Sequence, residues 1–214
     1  MKYVLTVIIV LLVLTAGGLL FAWSGVYNIA ATEPHWPLTK SFIELLRDRS
    51  IEVHSDDISP PNLNDMKLKE AAFSHYHGMC RLCHGAPGYT PEEFAKGLYP
   101  EPPAMTSGRI QKSLYEAEMY WIVKHGLKMT GMPAFAPTHN EEELWGLVAL
   151  ANDMPEMSAE QYRQKVKAAN PEAEMGGGHT HGDSMGEKES VHTGGEPSDH
   201  GESGHDHGAQ ESKD

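Results

Sequence analysis

Cysteine is nearly absent from this chain: Cys80 and Cys83 are the only two in 214 residues. A disulfide framework and a four-cysteine zinc or iron–sulfur site are therefore out of reach within it. Strand alternation is missing too, and with it the βαβ pattern that usually houses a thioredoxin-like dithiol. Positive charge is in short supply, with 17 Lys and Arg against 30 Asp and Glu, for a net charge of −13. Such a chain has little to offer a phosphate backbone, which argues against nucleic acid as a partner. About half of the acid excess lies from Met175 onward, where nine acids face only Lys188 and Lys213, so the remainder is moderately acidic. Charge is lacking altogether between Tyr3 and Trp23.

That uncharged run has the length of a bilayer span, about 20 residues, whereas the apolar part of a signal peptide has roughly 7–15. It reads as an uncleaved anchor over residues 1–24, with Lys2 holding the amino terminus in the cytoplasm so that everything after it crosses. Residues 25–64 form a juxtamembrane segment. Trp23, Tyr27 and Trp36 fall where an aromatic belt at the membrane surface belongs. Thr39 can cap a short helix with Phe42, Ile43, Leu45 and Leu46 on one side and Glu44, Arg47, Asp48 and Arg49 on the other. Packing of that apolar side against the following domain is the expectation, ahead of contact with the membrane. Ile58-Ser-Pro-Pro-Asn62 is an extended connection. His35 and His54 are isolated histidines, which ordinarily ligate nothing.

What the chain does possess is Cys80-Arg-Leu-Cys83-His84, a C-x-x-C-H motif. Two thiols at this spacing can each form a thioether bond to a haem vinyl group, and the adjacent imidazole is carried under the ring to ligate the iron. Around the motif, residues 65–173 read as one all-α domain. Asn64 or Asp65 can start a helix through Met66, Leu68, Ala72 and Tyr76 to the cysteines. Gly85-Ala-Pro-Gly88 opens a long irregular stretch to Ser107 that contains Pro91, Pro100, Pro102 and Pro103. Loops of that length need an organising body, and a porphyrin supplies one. One of the proline-rich carbonyls there can accept a hydrogen bond from the free ring nitrogen of His84. A second helix is expected from Ser113 to His125 with Gly126 as its stop, a third from Asn140 with Glu143 as capping partner, and a last one from Ser158 with Gln161.

The second iron ligand decides between electron transfer and an open, reactive iron. Met105, Met119, His125, Met129, Met132 and His139 are the candidates downstream. Met132 sits in Thr130-Gly-Met-Pro-Ala-Phe135, where Gly131 allows close backbone approach and Pro133 stiffens the loop. It is the first choice, with Met129 in reserve and core filling as the ordinary alternative for any methionine.

With those residues in view, three stretches resemble the membrane-anchored, monohaem bacterial cytochromes of the class I cytochrome c type. They are His75-Tyr-His-Gly-Met-Cys-Arg-Leu-Cys-His-Gly-Ala-Pro-Gly88, Tyr120-Trp-Ile-Val-Lys-His-Gly-Leu-Lys-Met-Thr-Gly-Met-Pro-Ala-Phe135 and Glu142-Glu-Leu-Trp-Gly-Leu-Val-Ala-Leu150. The resemblance implies a class I cytochrome c fold in which the amino- and carboxy-terminal helices cross. It further implies one covalent haem c on Cys80 and Cys83, with His84 and Met132 as axial ligands. It also implies a non-enzymatic carrier that moves single electrons between a quinol-oxidising complex or dehydrogenase and a terminal oxidase or reductase. The haem domain is expected on the periplasmic side of the bacterial inner membrane, because haem attachment to such motifs occurs on that oxidising side.

Residues 174–214 are glycine, serine, acid and histidine, too poor in apolar surface to fold, and read as a disordered tail. His179, His181, His205 and His207 form two imidazole pairs there that suit weak binding of Cu²⁺ or Zn²⁺. Two further functions belong to other classes: a metal-handling module in which this tail works with the haem, and a haem enzyme acting on peroxide or a small ligand.

Overall fold

A computed structural model of the chain describes residues 1–170; the histidines proposed as tail metal ligands, His179, His181, His205 and His207, lie outside the described residues. Helix α1 spans Lys2–Ser24 and ends at Gly25, whose φ of 66° closes it with a left-handed cap. With about 1.5 Å of rise per residue, its 23 residues are about as long as a bilayer core is thick. Its most apolar 18 residues have a mean hydropathy of 2.8, and none of the helix is buried by the rest of the chain. It is long and apolar enough to cross a membrane.

Helix α2, Pro37–Ser55, is longer than the short helix expected and starts earlier, because Pro37 occupies its first turn and Trp36, not Thr39, is its cap. Helix α3, Met66–His75, is capped by Asp65, whose carboxylate accepts from the Lys67 amide at 2.9 Å. It continues through a π-helical turn, Tyr76–Cys80, into α4, Arg81–His84. After the irregular stretch come α5, Arg109–Ser113, and α6, Glu116–His125. The second helix expected from Ser113 is thus broken in two. Ser113 ends α5, Leu114 is extended, and α6 restarts at Tyr115, whose amide donates to the Glu118 carboxylate at 2.7 Å. Helices α7, Glu141–Asp153, and α8, Ala159–Ala169, begin as expected, on the Asn140/Glu143 and Ser158/Gln161 capping boxes. Among the described residues there is no strand, only an isolated bridge between Ala86 and Tyr89. The fold is all-α.

Helix α7 is the central element, with every residue from Leu144 to Leu150 buried. One of its sides meets Ala72, Phe73 and Tyr76 together with Met154, Tyr162 and Val166 of the last helices. The other joins Met119 and Tyr120 of α6, where Tyr120 and Trp145 stack at 4.0 Å between ring centroids. The crossing of α3 and α7 is made at Gly146, where a Cβ would stand 2.5 Å from the Leu68 carbonyl oxygen and 3.3 Å from the Ala72 Cβ. Only a residue without a side chain lets the two backbones come this close. Gly146→Ala is therefore expected to destabilise the protein by about 1–3 kcal/mol, the usual cost of overpacking. Gly97, where an added Cβ would meet nothing within 4 Å, is the control, and Gly97→Ala should stay within about 0.5 kcal/mol. Denaturant midpoints followed by circular dichroism give the comparison.

Candidate haem site

The continuous helix from Met66 carries the C-x-x-C-H motif on its final turn. Residues three and four apart share a helical face, so Cys80, the last residue of the π-helical turn Tyr76–Cys80, stands together with Cys83 and His84 of α4. π-turns of this kind occur often at functional sites. Both thiols are free. Burial pushes the Cys80 thiol up to about 12, with the neighbouring Cys83 acting in the same direction. Burial also raises Cys83. Tyr76, buried beneath this turn, donates its hydroxyl to the Gly85 carbonyl at 2.8 Å and so fixes the exit of the chain from the helix. The Leu82 carbonyl accepts from the Glu92 amide at 2.8 Å, and Arg81 reaches the Glu92 carboxylate at 3.2 Å, folding the following loop back against the motif.

His84 donates from Nδ1 to the Pro103 carbonyl oxygen at 2.9 Å. This is the proline-rich carbonyl anticipated from sequence, and the structure selects it from four prolines. The bond fixes the tautomer, leaving Nε2 without a proton and free to ligate. Burial lowers the pKa of the ring, against the opposing pull of the Pro103 carbonyl. A neutral imidazole is the form a metal binds.

Met132 lies on the loop between α6 and α7, and its backbone is secured on both sides. Its amide donates to the Thr130 Oγ1 at 3.1 Å, and its carbonyl accepts from the Leu127 amide at 3.1 Å. The Thr130 hydroxyl in turn donates to the Leu127 carbonyl at 2.8 Å. Further along, the Phe135 and Ala136 amides return to the Val123 and Lys124 carbonyls of α6. Gly131 is where this loop meets the proline-rich one, since a Cβ there would stand 2.8 Å from Leu98 Cδ1. The two loops that carry Met132 and Pro103 are thus in contact.

The other candidate ligands are placed elsewhere. Met129 is 95% exposed, with a φ of 60°. Met119 belongs to the core, and Met105 packs half-buried against it. His139 pairs with His75 at 3.0 Å between ring nitrogens and with Thr138 at 2.9 Å. His125 is exposed beside Trp121. His35 bonds the Tyr27 hydroxyl at 2.7 Å, and His54 donates to the Ser50 carbonyl at 2.8 Å. Among the described residues no three His, Cys, Asp or Glu side chains gather as a metal cage. A cavity of about 500 Å³ opens between the 86–90 turn and Met154–Ala159, but neither His84 nor Met132 lines it.

The donor set fits a c-type haem: two free thiols on one helical turn, an imidazole with one committed and one open nitrogen, and a thioether on a secured loop. Thr130 and Tyr76 are supporting residues that sequence reasoning did not single out as such. For Thr130 the available signal was a hydroxyl two residues before the methionine, the spacing of a side-chain-to-backbone turn.

The family model described as cytochrome c oxidase, cbb3-type, subunit III, matches residues 67–150. This stretch holds both cysteines, His84 and Met132, and what it is similar to is a c-type cytochrome domain, a class that carries haem c and transfers electrons. No characterised protein and no solved structure gives a significant match.

The Thr130 bridge has a measurable consequence. Thr130→Val removes the acceptor of the Met132 amide while keeping the side chain's shape, at a cost of about 1 kcal/mol. The Met132 amide should then exchange with deuterated solvent roughly fivefold faster, read by hydrogen-exchange mass spectrometry of the loop peptide.

Proposed function

We propose that this chain is a membrane-anchored c-type cytochrome that passes single electrons between respiratory partners through one haem c. Cys80 and Cys83 would bind the haem, and His84 and Met132 would ligate its iron. Residues 1–24 serve as the anchor, 25–64 as the juxtamembrane segment and 65–173 as the cytochrome domain. The observation that supports the reading is the commitment of His84 Nδ1 to the Pro103 carbonyl, which leaves the other ring nitrogen open directly after two free cysteines. The haem supplies a one-electron iron couple. The protein's part is to keep the surroundings of that couple unchanged when its charge changes. His84 is fixed in orientation by Pro103, and the Met132 backbone is fixed on either side by Thr130 and Leu127. A filled sixth position favours transfer over ligand chemistry, and thioether ligation raises the reduction potential relative to a second imidazole.

The matched family is described as part of a cbb3-type cytochrome c oxidase. Among the partner classes, a terminal oxidase is accordingly the electron acceptor we infer, with a quinol-oxidising complex or dehydrogenase as donor. The apolar α1 supports confinement of these exchanges to the bacterial inner membrane, with the haem domain on the periplasmic side.

The test is spectroscopic. The oxidised protein should be low-spin and show the weak red absorption band of thioether-ligated ferric haem. Met132→Ala should abolish that band and lower the reduction potential while leaving the haem covalently attached, whereas Met129→Ala should change neither. An unaltered band in Met132→Ala, or a native iron that takes cyanide as fast as an open site, overturns the ligand assignment.

A further inference from the structure

Helix α2 is amphipathic, but its apolar stripe does not pack on the haem domain, contrary to the expectation from sequence. Leu38, Phe42, Leu45, Leu46 and Val53 are 84, 59, 59, 55 and 59% exposed. At 100° per residue these five fall within an arc of about 100°. The opposite edge is the one that docks: Ile51 and Ser55 are buried, and His54 lies against Trp121 of α6 at 5.7 Å between ring centroids. The helix therefore already has its protein neighbour, and the stripe faces away from it. An isolated apolar residue on a surface needs no explanation, but five sharing one side of a helix over four turns do.

The position of α2 indicates what covers the stripe. Trp36, its cap, lies 6.0 Å from the Phe21 ring and 5.0 Å from the Tyr27 ring. Phe21 belongs to the last turn of α1, about 4.5 Å of helix rise before its end. The first turn of α2 is thereby held within about one helical turn of the level at which the apolar span finishes. Trp and Tyr prefer that level, the boundary between hydrocarbon and headgroups. The charges on α2 suit it as well. Lys40 pairs with Glu44 at 3.9 Å, Arg47 with Asp48 at 2.7 Å, and Arg49 with Glu52, so the acids are neutralised within the helix. Arg49 interrupts the stripe, yet its long stem can follow the apolar surface while the guanidinium stays with Glu52 at the polar edge.

We propose that α2 lies in the bilayer interface, its Leu38–Val53 stripe in lipid and its Ile51–Ser55 edge holding the haem domain. The anchor thus ends in a second, interfacial element that fixes which side of the domain faces the membrane. This inference rests on the reading of α1 as a membrane span. The occupant is lipid, because the aromatic contacts set α2 at lipid depth within a single chain, with no partner required.

The test uses the full-length, haem-loaded protein in lipid nanodiscs, reduced so that the iron is diamagnetic. Phe42→Cys, Leu45→Cys, Asp48→Cys and Val10→Cys each introduce a single thiol for a spin label, the native cysteines being occupied by haem. Labels at 42 and 45 should be relaxed several-fold more by oxygen, which partitions into lipid, than by a water-soluble nickel complex, with the order reversed at 48. If 42 and 45 behave like 48 while 10 remains lipid-exposed, the interfacial placement is overturned and the anchor stands. Protection of 42 and 45 from both reagents also overturns it, in favour of a protein covering. If the label at 10 is also water-exposed, the anchor reading itself falls.

Discussion

The close crossing of α3 and α7 is the constraint on which the other elements depend. Because Gly146 presents no side chain, the Leu68 carbonyl and Ala72 can settle onto α7, and both faces of α7 become available for packing. One face organises the helix that ends in the cysteines. The other organises α6 and the loop that follows it. The positions of Cys80, His84 and Met132 therefore trace back to one helix-to-helix contact, although none of these residues takes part in it.

Around that helical frame the chain between Gly85 and Gly108 has little regular structure, only two short 3₁₀ turns. It is held instead at separate points: the Tyr76 hydroxyl on Gly85, the Glu92 amide on Leu82, Leu98 against Gly131, and Pro103 on His84. Several of these points are backbone groups, which tolerates much sequence variation between them. The same arrangement leaves the loop dependent on whatever fills the space it borders, in keeping with a fold completed by a prosthetic group.

Much of this was legible because it is local. The C-x-x-C-H motif, the Asn140/Glu143 and Ser158/Gln161 caps and the apolar run of α1 each depend on residues a few positions apart, and each stands where the sequence puts it. Misreadings arose where two local signals competed. Ser113 is a good cap by composition, but Glu118 reaches back to the Tyr115 amide two residues later, and the extended Leu114 separates them. Thr39 is likewise outweighed by Pro37, whose fixed φ favours the first turn. Which carbonyl meets His84 is a question of tertiary approach across 19 residues, which no local pattern encodes. The side of α2 that meets the domain was equally hidden, because periodicity reveals an apolar face and not its occupant.

The hydrogen bond from His35 to Tyr99 has a further implication. The His35 amide donates to the Tyr99 hydroxyl at 3.2 Å and its ring stands edge-on to Tyr99 at 5.1 Å, while its Nδ1 is tied to Tyr27 beside the end of α1. Tyr99 precedes by four residues the carbonyl that receives the His84 proton. A ring nitrogen that gives its hydrogen to a carbonyl leaves the other nitrogen more electron-rich, so the placing of Pro103 bears on the donor strength of His84. On the reading proposed here, the membrane-proximal segment is part of the iron's electronic setting. A fragment cut free of residues 1–35 loses both His35 contacts to Tyr99, and with them this tie between the membrane-proximal segment and the loop that carries Pro103.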